Sequence, residues 1–338
     1  MRLIKRLKLF KSRMMQTCRS IVALFTNKFF FKKDEYDYYC GYSDAVEENE
    51  LGACLIAMFD GRQIHCGLTD RFKGICTTYE FSKDFNIPFY IHFISPFDLS
   101  DYLLPNGYDW KGDREKVKYG KRISVPVFLN DWQSDTSFHK LYLKQVIKRN
   151  PNKQIHVYSD STYYIKRYAN DFHFLFKPSD GLLSAIDRCL AGIGSGKYCA
   201  MAFRFLMLLG DFKEEHAKFP TLEDAGQQEL MEKCEQQILK LRTELGINSK
   251  ILLTADSKKF VDYMSRYDFI YVVPGEIAHI DNSHETNRQI YMKTFLDMFM
   301  LSKAEVIYQL HTGDMYRNSA FARQAALLGR KRYVQIEF

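Results

Sequence analysis

No two cysteines of this sequence form a C-x-x-C pair, and none clusters with histidine at zinc-ligand spacing. The eight thiols, at positions 18, 40, 54, 66, 76, 189, 199 and 234, are scattered. This pattern excludes a disulfide framework and a structural zinc and points to reduced cysteines in a cytosolic protein. No apolar run approaches the roughly 20 residues that a membrane-crossing helix needs. Acidic residues are missing from Met1 to Lys33, a stretch that holds ten Lys and Arg. The rest of the chain carries 38 basic against 41 acidic residues, so the net charge of +7 belongs to this leader and the body is mildly acidic. A general nucleic-acid-binding role is thereby excluded. At 338 residues, 46% hydrophobic and 15% aromatic, the chain has material for one large core or two of ordinary size, which excludes disorder.

In the leader, Leu3, Leu7, Phe10 and Met14 recur at helical spacing while Arg2, Lys5, Lys8 and Arg13 tend to the other side. Residues 1–33 therefore read as a basic amphipathic segment suited to an anionic membrane surface, and the protein as cytoplasmic, held peripherally at the inner face of a membrane. Asn27 and Lys28 interrupt the apolar stretch, which speaks against a signal peptide. Residues 34–52, rich in Asp, Glu and Tyr, read as a linker.

Two α/β halves follow, 53–191 and 192–338. In the first, strands are expected over Cys54–Phe59, Pro88–Phe93, Ser124–Leu129 and Gln154–Ser159. Helices are expected from Thr69 or Asp70 to about Phe85, briefly over Asp98–Pro105, and over Ser137–Lys148 and Ser179–Ala191. The glycine-led turn Gly67-Leu68-Thr69-Asp70-Arg71 precedes a helix amino terminus, a fit place for an anion or sugar hydroxyls; Thr69, Asp70 and Arg71 are the candidate acceptor-side loop. Gly192-Ile193-Gly194-Ser195-Gly196-Lys197 looks like a nucleotide loop but leads into a strand rather than out of one, and reads as a connector.

The second half alternates regularly, with strands at Tyr198–Phe205, Lys250–Thr254, Phe269–Val273, Glu305–Gln309 and Tyr333–Ile336. Helices fall between them at Leu222–Leu245, Ser257–Tyr267, Asn287–Leu301 and Asn318–Leu328. The uncharged run Tyr198–Phe203 delivers one guanidinium, Arg204, to its carboxyl end. Ligands of open α/β sheets sit beyond the carboxyl ends of the strands, and arginine matches phosphate oxygens bidentately, so Arg204 is a candidate phosphate clamp. The other strand-end loops carry Asp256, Glu276 to Asp281, and His311 to Asp314; His65, His279 and His311 read as structural.

The ordered segments GLTDRFKGI, AFRF with GDF, LLTADS, LDMFMLSKAEVIY and YRNSAFARQAALLGRKRYVQI resemble the fucosyltransferase superfamily. That superfamily includes the rhizobial nodulation, α-1,2-, α-1,6- and protein O-fucosyltransferases. The resemblance covers residues 53–338. It implies a GT-B fold of two Rossmann-like domains facing each other across a cleft, with an acceptor domain first and a nucleotide-sugar domain second. It also implies an inverting transfer of fucose from GDP-fucose to a hydroxyl of a saccharide acceptor, with no metal or other cofactor. Arg204 matches the β-phosphate arginine of the family's His-x-Arg-x-Gly-Asp motif, but Ala202 stands in place of the histidine and five residues separate Arg204 from Gly210-Asp211. Asp256 matches an acidic turn residue, Asp297 an aspartate that accepts guanine N–H groups, and Ser319, beside Asn318, a phosphate-binding serine. An acid just past the Arg204 strand, Asp211, Glu214 or Glu215, belongs to the class that could act as base. The acceptor could be a lipid-linked glycan in surface polysaccharide synthesis. A GT-B enzyme with another nucleotide-sugar donor, or a catalytically silent membrane-surface protein of the same fold, would use the same scaffold.

Overall fold

Six consecutive apolar residues, Cys54–Phe59, form strand β1, and every one of them is buried. A strand buried on both faces belongs to a parallel sheet covered by helices, which is why the run shows no polar alternation. The computed structural model describes residues 48–63, 65–129, 136–160, 165–194, 196–212, 220–278, 280 and 288–338. The basic leader, and the linker up to residue 47, lie outside them. In chain order β1 is followed by α1 (Leu68–Phe85), β2 (Phe89–Phe93), β3 (Leu103–Pro105), β4 (Ser124–Phe128), α2 (Thr136–Arg149), β5 (Gln154–Tyr158), α3 (Tyr168–Leu175) and β6 (Phe176–Pro178). Then come α4 (Asp180–Ile193), β7 (Cys199–Phe203), α5 (Asp224–Glu244), β8 (Ile251–Thr254), α6 (Lys258–Met264), β9 (Ile270–Tyr271), α7 (Met292–Lys303), β10 (Val306–His311), α8 (Ala320–Gly329) and β11 (Arg332–Glu337). Among the described residues no helix is long and apolar enough to cross a membrane.

Two compact units result. The first comprises the described residues up to Cys66 with Asp70–Ser95 and Pro105–Leu175; the second comprises Gly67–Thr69, Pro96–Leu104 and Phe176–Phe338. Helix α4 thus groups with the second unit.

The first unit holds a four-stranded parallel sheet of order β2-β1-β5-β4, with Leu55 opposite Phe89 and Ile155, and Val125 opposite Ile155. Pro126 is tolerated because β4 is an edge strand. Gly74 of the GLTDRFKGI segment has a packing reason. A Cβ there would lie 1.8 Å from the Ser159 carbonyl oxygen, so only glycine lets α1 approach the end of β5. The helix expected over Asp98–Pro105 is only a 3-10 turn, Leu99–Asp101, capped by Asp98, and the chain then extends into β3 because Pro105 biases its predecessor toward extended backbone. Helix α3 was not expected from the sequence; its buried positions Tyr168, Asp171, Phe172 and Leu175 include a carboxylate that masks the apolar stripe.

That carboxylate faces another. Asp171 of α3 lies by Glu80 of α1, with Lys83 reaching both and Arg167 Nη1 at 2.6 Å from Glu80 Oε2. Burial, then the neighbouring Glu80, pushes Asp171 up to about 7; Glu80 is held below its ordinary range, despite burial, by bonds from Lys83, Asp171 and Arg167. A folded-state value raised above the unfolded one gives stability that is complete below the unfolded value of 3.8 and is lost as pH rises through about 7. Urea unfolding at pH 5.5 and 8.5 should therefore show wild type losing roughly 1–2 kcal/mol at the higher pH relative to Asp171→Asn. Equal losses in the two proteins would refute the assignment.

The second unit holds a five-stranded parallel sheet of order β11-β10-β7-β8-β9, with β7 at its centre and Met201 opposite both Leu253 and Tyr308. Met201, Phe203 and Leu253 pack with Met231, Cys234 and Ile238 of α5 and Phe260 of α6. Helix α7 is buried on nearly every side, from Lys293 through Ser302, and packs against α4, α8 and β8. Tyr198 donates to the Met300 carbonyl at 2.7 Å, tying the approach to β7 to α7. Helix α4 ends at Ile193 with Gly194, at φ +110, as its C-cap, and the next element along the chain is β7. The chain here therefore has the helix-to-strand order opposite to that of a phosphate loop.

Candidate functional site

Strand β7 ends at Phe203, and Arg204 follows at the carboxyl edge of the central strand. Its guanidinium Nη1 lies 3.2 Å from Asp256 Oδ2, with side-chain exposures of 21% and 5%, and stacks 4.7 Å above the Phe212 ring. Asp256, just past the end of β8, also accepts the backbone N–H groups of Phe205 and Leu206 at 2.8 Å each. Leu206 has φ +55, an unfavourable backbone for a branched side chain, so the carboxylate holds a strained turn as well as the arginine. Burial raises the Asp256 pKa, and Arg204 and the two N–H groups oppose that rise. The neighbour of α6's cap is thus a buried anchor, while Ser257 is the cap itself, accepting from Phe260 N at 3.1 Å.

The loop before α8 reaches the same place, because Tyr316 N donates to the Arg204 carbonyl at 3.0 Å. Ser319 occupies the N-cap position of α8, half-buried, and its hydroxyl makes no capping bond; Asn318 beside it is exposed. Arg204, Asp256 and the Tyr316–Ser319 loop are therefore brought together, with a ten-residue helix presenting its amino terminus. A guanidinium and helix N–H groups at one sheet edge can stabilise an anion.

Other candidates are placed differently. Asp211 uses Oδ2 to accept from Ser257 Oγ at 3.0 Å and Lys259 N at 2.7 Å, so it anchors the start of α6. Glu214, Glu215 and His279 lie outside the described residues. Asp297 sits on α7, where Lys293 Nζ donates to both its oxygens, at 3.0 and 2.8 Å. Burial raises the Asp297 pKa, against the pull of Lys293. Sequence reasoning overlooked Lys293 and Phe212; a lysine and an aspartate four residues apart on an otherwise apolar helix was the available signal for the first. His311 ends β10, buried, 3.8 Å from Glu337.

In the first unit Asp70 pairs with Lys73. Arg71 is buried and donates from Nε to the Cys66 carbonyl at 2.8 Å and from Nη1 to the Ser95 carbonyl at 2.7 Å, holding the loop before α1 and the chain just past β2. Thr69, in the first turn of α1, is buried. Asp60, at the end of β1, was not singled out in the sequence. It accepts from the hydroxyls of Tyr119 at 2.8 Å and Tyr158 at 2.9 Å, and lies 3.8 Å from His65. Although burial opposes ionisation, these contacts hold its pKa down at about 2, so it stays an anion that locks two tyrosines and His65 in place.

No protein-family model matches the chain, and no curated protein matches it in sequence. Solved structures do. A NodZ α-1,6-fucosyltransferase soaked with GDP-fucose superposes with a TM-score of 0.52 at 12% identity, over 85% of this chain and 95% of that one. Fucosyltransferase NodZ from Bradyrhizobium gives 0.53 at 12% identity, over 85% and 94%. A point mutant of Arabidopsis thaliana FUT1 in complex with GDP gives 0.52 at 11% identity, over 90% and 74%. The chain, with its two parallel α/β sheets and Arg204 at the carboxyl end of the central strand of the second, thus has a GT-B-like fold similar to that of the NodZ and plant FUT1 fucosyltransferases.

Proposed function

We propose that this chain is a glycosyltransferase that moves fucose from GDP-fucose to a hydroxyl of a saccharide acceptor, with inversion and without a metal ion. The observation that carries this reading is the Tyr316 N to Arg204 carbonyl bond, which ties the loop leading into α8 to the backbone of Arg204. As the glycosidic bond breaks, negative charge develops on the leaving β-phosphate. Arg204 and the Ser319 end of α8 stabilise it, each charge-assisted hydrogen bond contributing about 1.5–3 kcal/mol and more in a closed, dry site. Asp256 keeps the guanidinium from turning away. Asp211 is committed to the start of α6, so Glu214 is the better choice among the proposed bases for the acceptor hydroxyl. Thr69, Asp70 and Arg71 shape the acceptor side, Arg71 through the backbone it holds. The leader, with ten cationic residues, brings the enzyme to an anionic membrane surface where lipid-linked glycans are assembled.

Calorimetry of the full chain with GDP, UDP and dTDP tests the reading. GDP is expected to bind most tightly, GDP-fucose to be turned over to GDP in the presence of acceptor glycans, and removal of residues 1–33 to release the protein from anionic liposomes with GDP binding intact. Tightest binding of UDP or dTDP would reassign the donor, and absence of any nucleotide binding would favour a silent protein of the same fold.

A further inference from the structure

Three buried side-chain atoms of the second unit, Gln309 Nε2, His311 Nδ1 and Gln324 Oε1, have no hydrogen-bond partner. Their residues are 1%, 6% and 1% exposed. Native proteins hold few such groups, because a buried donor or acceptor without a partner loses its bond to water and gains nothing in exchange. Their placement is informative. Side chains alternate along a strand, and Tyr308 and Leu310 of β10 pack with Met201, Phe203 and α5. Gln309 and His311 therefore point to the opposite face, the one on which α8 packs. Gln324 lies in the second turn of α8, where a helical side chain tilts back toward the amino terminus of its helix. The three groups thus flank, from its two ends, the loop 312–319, which Tyr316 N ties to the Arg204 carbonyl at 3.0 Å. Strand register gives a second link to the same edge. Gln309 pairs with Ala202 and Leu310 with Phe203, the residue before Arg204, and adjacent strands are about 5 Å apart.

The chemistry of the three groups narrows what they can hold. Two are amides, which carry no charge: Gln309 offers a donor and Gln324 an acceptor. His311 Nε2 faces Glu337 at 3.8 Å, so the ring proton is assigned to that nitrogen and Nδ1 is an acceptor. A phosphate offers only acceptor oxygens and would meet two acceptors here. A hydroxyl both donates and accepts. Two neighbouring hydroxyls satisfy the set, one accepting from Gln309 while the pair donates to His311 and Gln324. In a nucleotide-sugar the groups bonded directly to the diphosphate are sugars, ribose on one side and the transferred hexose on the other, and the base lies a whole ribose further away. What reaches one strand beyond a phosphate clamp is therefore a sugar.

We infer that Gln309, His311 and Gln324 form a hydroxyl-reading set for a sugar attached to the donor's diphosphate. The inference rests on the proposed nucleoside-diphosphate site. It accounts for two buried glutamines on a strand and a helix whose other buried residues, His311 excepted, are apolar, positions where an apolar side chain would be buried without loss of hydrogen bonds to water. Ala202, in register with Gln309, offers the amide a methyl group and no polar partner, so the donor is kept for the ligand.

Calorimetry of the full chain with GDP, 2′-deoxy-GDP, 3′-deoxy-GDP and GDP-fucose tests it. Gln309→Met and Gln324→Met keep the length of the side chain and remove the amide; either one suffices if the other does not fold. Each is expected to weaken binding of the ligand that carries the hydroxyls by about five- to tenfold and to leave the ligand that lacks them within about twofold of wild type. If the set reads ribose, the loss appears with GDP and GDP-fucose and disappears with one of the two deoxy compounds. If it reads the hexose, GDP is unaffected and the loss appears with GDP-fucose alone. Urea unfolding of the variants without ligand adds a readout that an internal water would move: removing a partnerless group should leave stability unchanged or raise it. An equal change in affinity for all four ligands, no change in any, or a fall in ligand-free stability with affinity retained would overturn the inference while leaving the nucleotide site standing. No binding of any of the four by the wild-type chain would overturn both.

Discussion

Asp256→Ala is expected to remove about 3–5 kcal/mol of folding stability, the range for breaking a buried charge network by deleting one partner. The carboxylate is 5% exposed, pairs with Arg204 at 3.2 Å and takes the N–H groups of Phe205 and Leu206 at 2.8 Å. Alanine leaves two buried N–H donors without acceptors and a guanidinium without its counter-charge, and it frees Leu206 from the left-handed backbone in which it is held. Asp256→Asn keeps the shape and one acceptor, so an intermediate loss is expected. Urea unfolding measures both. A loss under about 1 kcal/mol for alanine would mean that the turn is held by something else. Because the same residue orients Arg204, nucleotide affinity should fall with stability in both variants, and the asparagine variant, which remains folded, separates the two effects.

Arg204→Ala should weaken GDP binding roughly 100-fold or more, the equivalent of losing two charge-assisted hydrogen bonds to phosphate. Arg204→Lys should recover only part, since an ammonium cannot make the planar double contact or stack on Phe212, whose ring lies 4.7 Å from the guanidinium. Binding of guanosine without phosphates should be unchanged in both variants, which separates a phosphate clamp from a general collapse of the site. A Kd for GDP within about threefold of wild type after Arg204→Ala would remove this residue from the proposed mechanism.

Much of the architecture was open to reading residue by residue. Cys54–Phe59 and Cys199–Phe203 are apolar over their whole length, and a buried parallel strand requires that composition, so both could be placed without coordinates. The order of strands and helices between Tyr198 and the end of the chain followed from the same alternation. Arg204 stood out because a charge at the end of such a run has little reason to be there except function or a partner. The roles of polar residues were less legible. Asp211 and Arg71 looked like chemistry in the sequence and are hydrogen-bonded to backbone in the structure, at the start of α6, in the loop before α1 and just past β2. Helix α3 stayed hidden because Asp171 sits in its buried stripe, compensated by Lys83 from another helix.

By itself the sequence determined two parallel α/β sheets, a central strand ending in Arg204, a cationic leader and the glycine-bearing turn before α1. These depend on composition and local spacing, which the backbone reads within a few residues. Tertiary structure alone decided which polar groups are held by which. The partners of Asp256 lie about 50 positions earlier, at Phe205 and Leu206, and the loop beside Arg204 arrives from Tyr316. Such pairings depend on how strands distant in the chain become neighbours in the sheet, and no local propensity encodes that. The Lys293–Asp297 pair lies between the two cases: its spacing is local, but its burial on α7 is a product of packing.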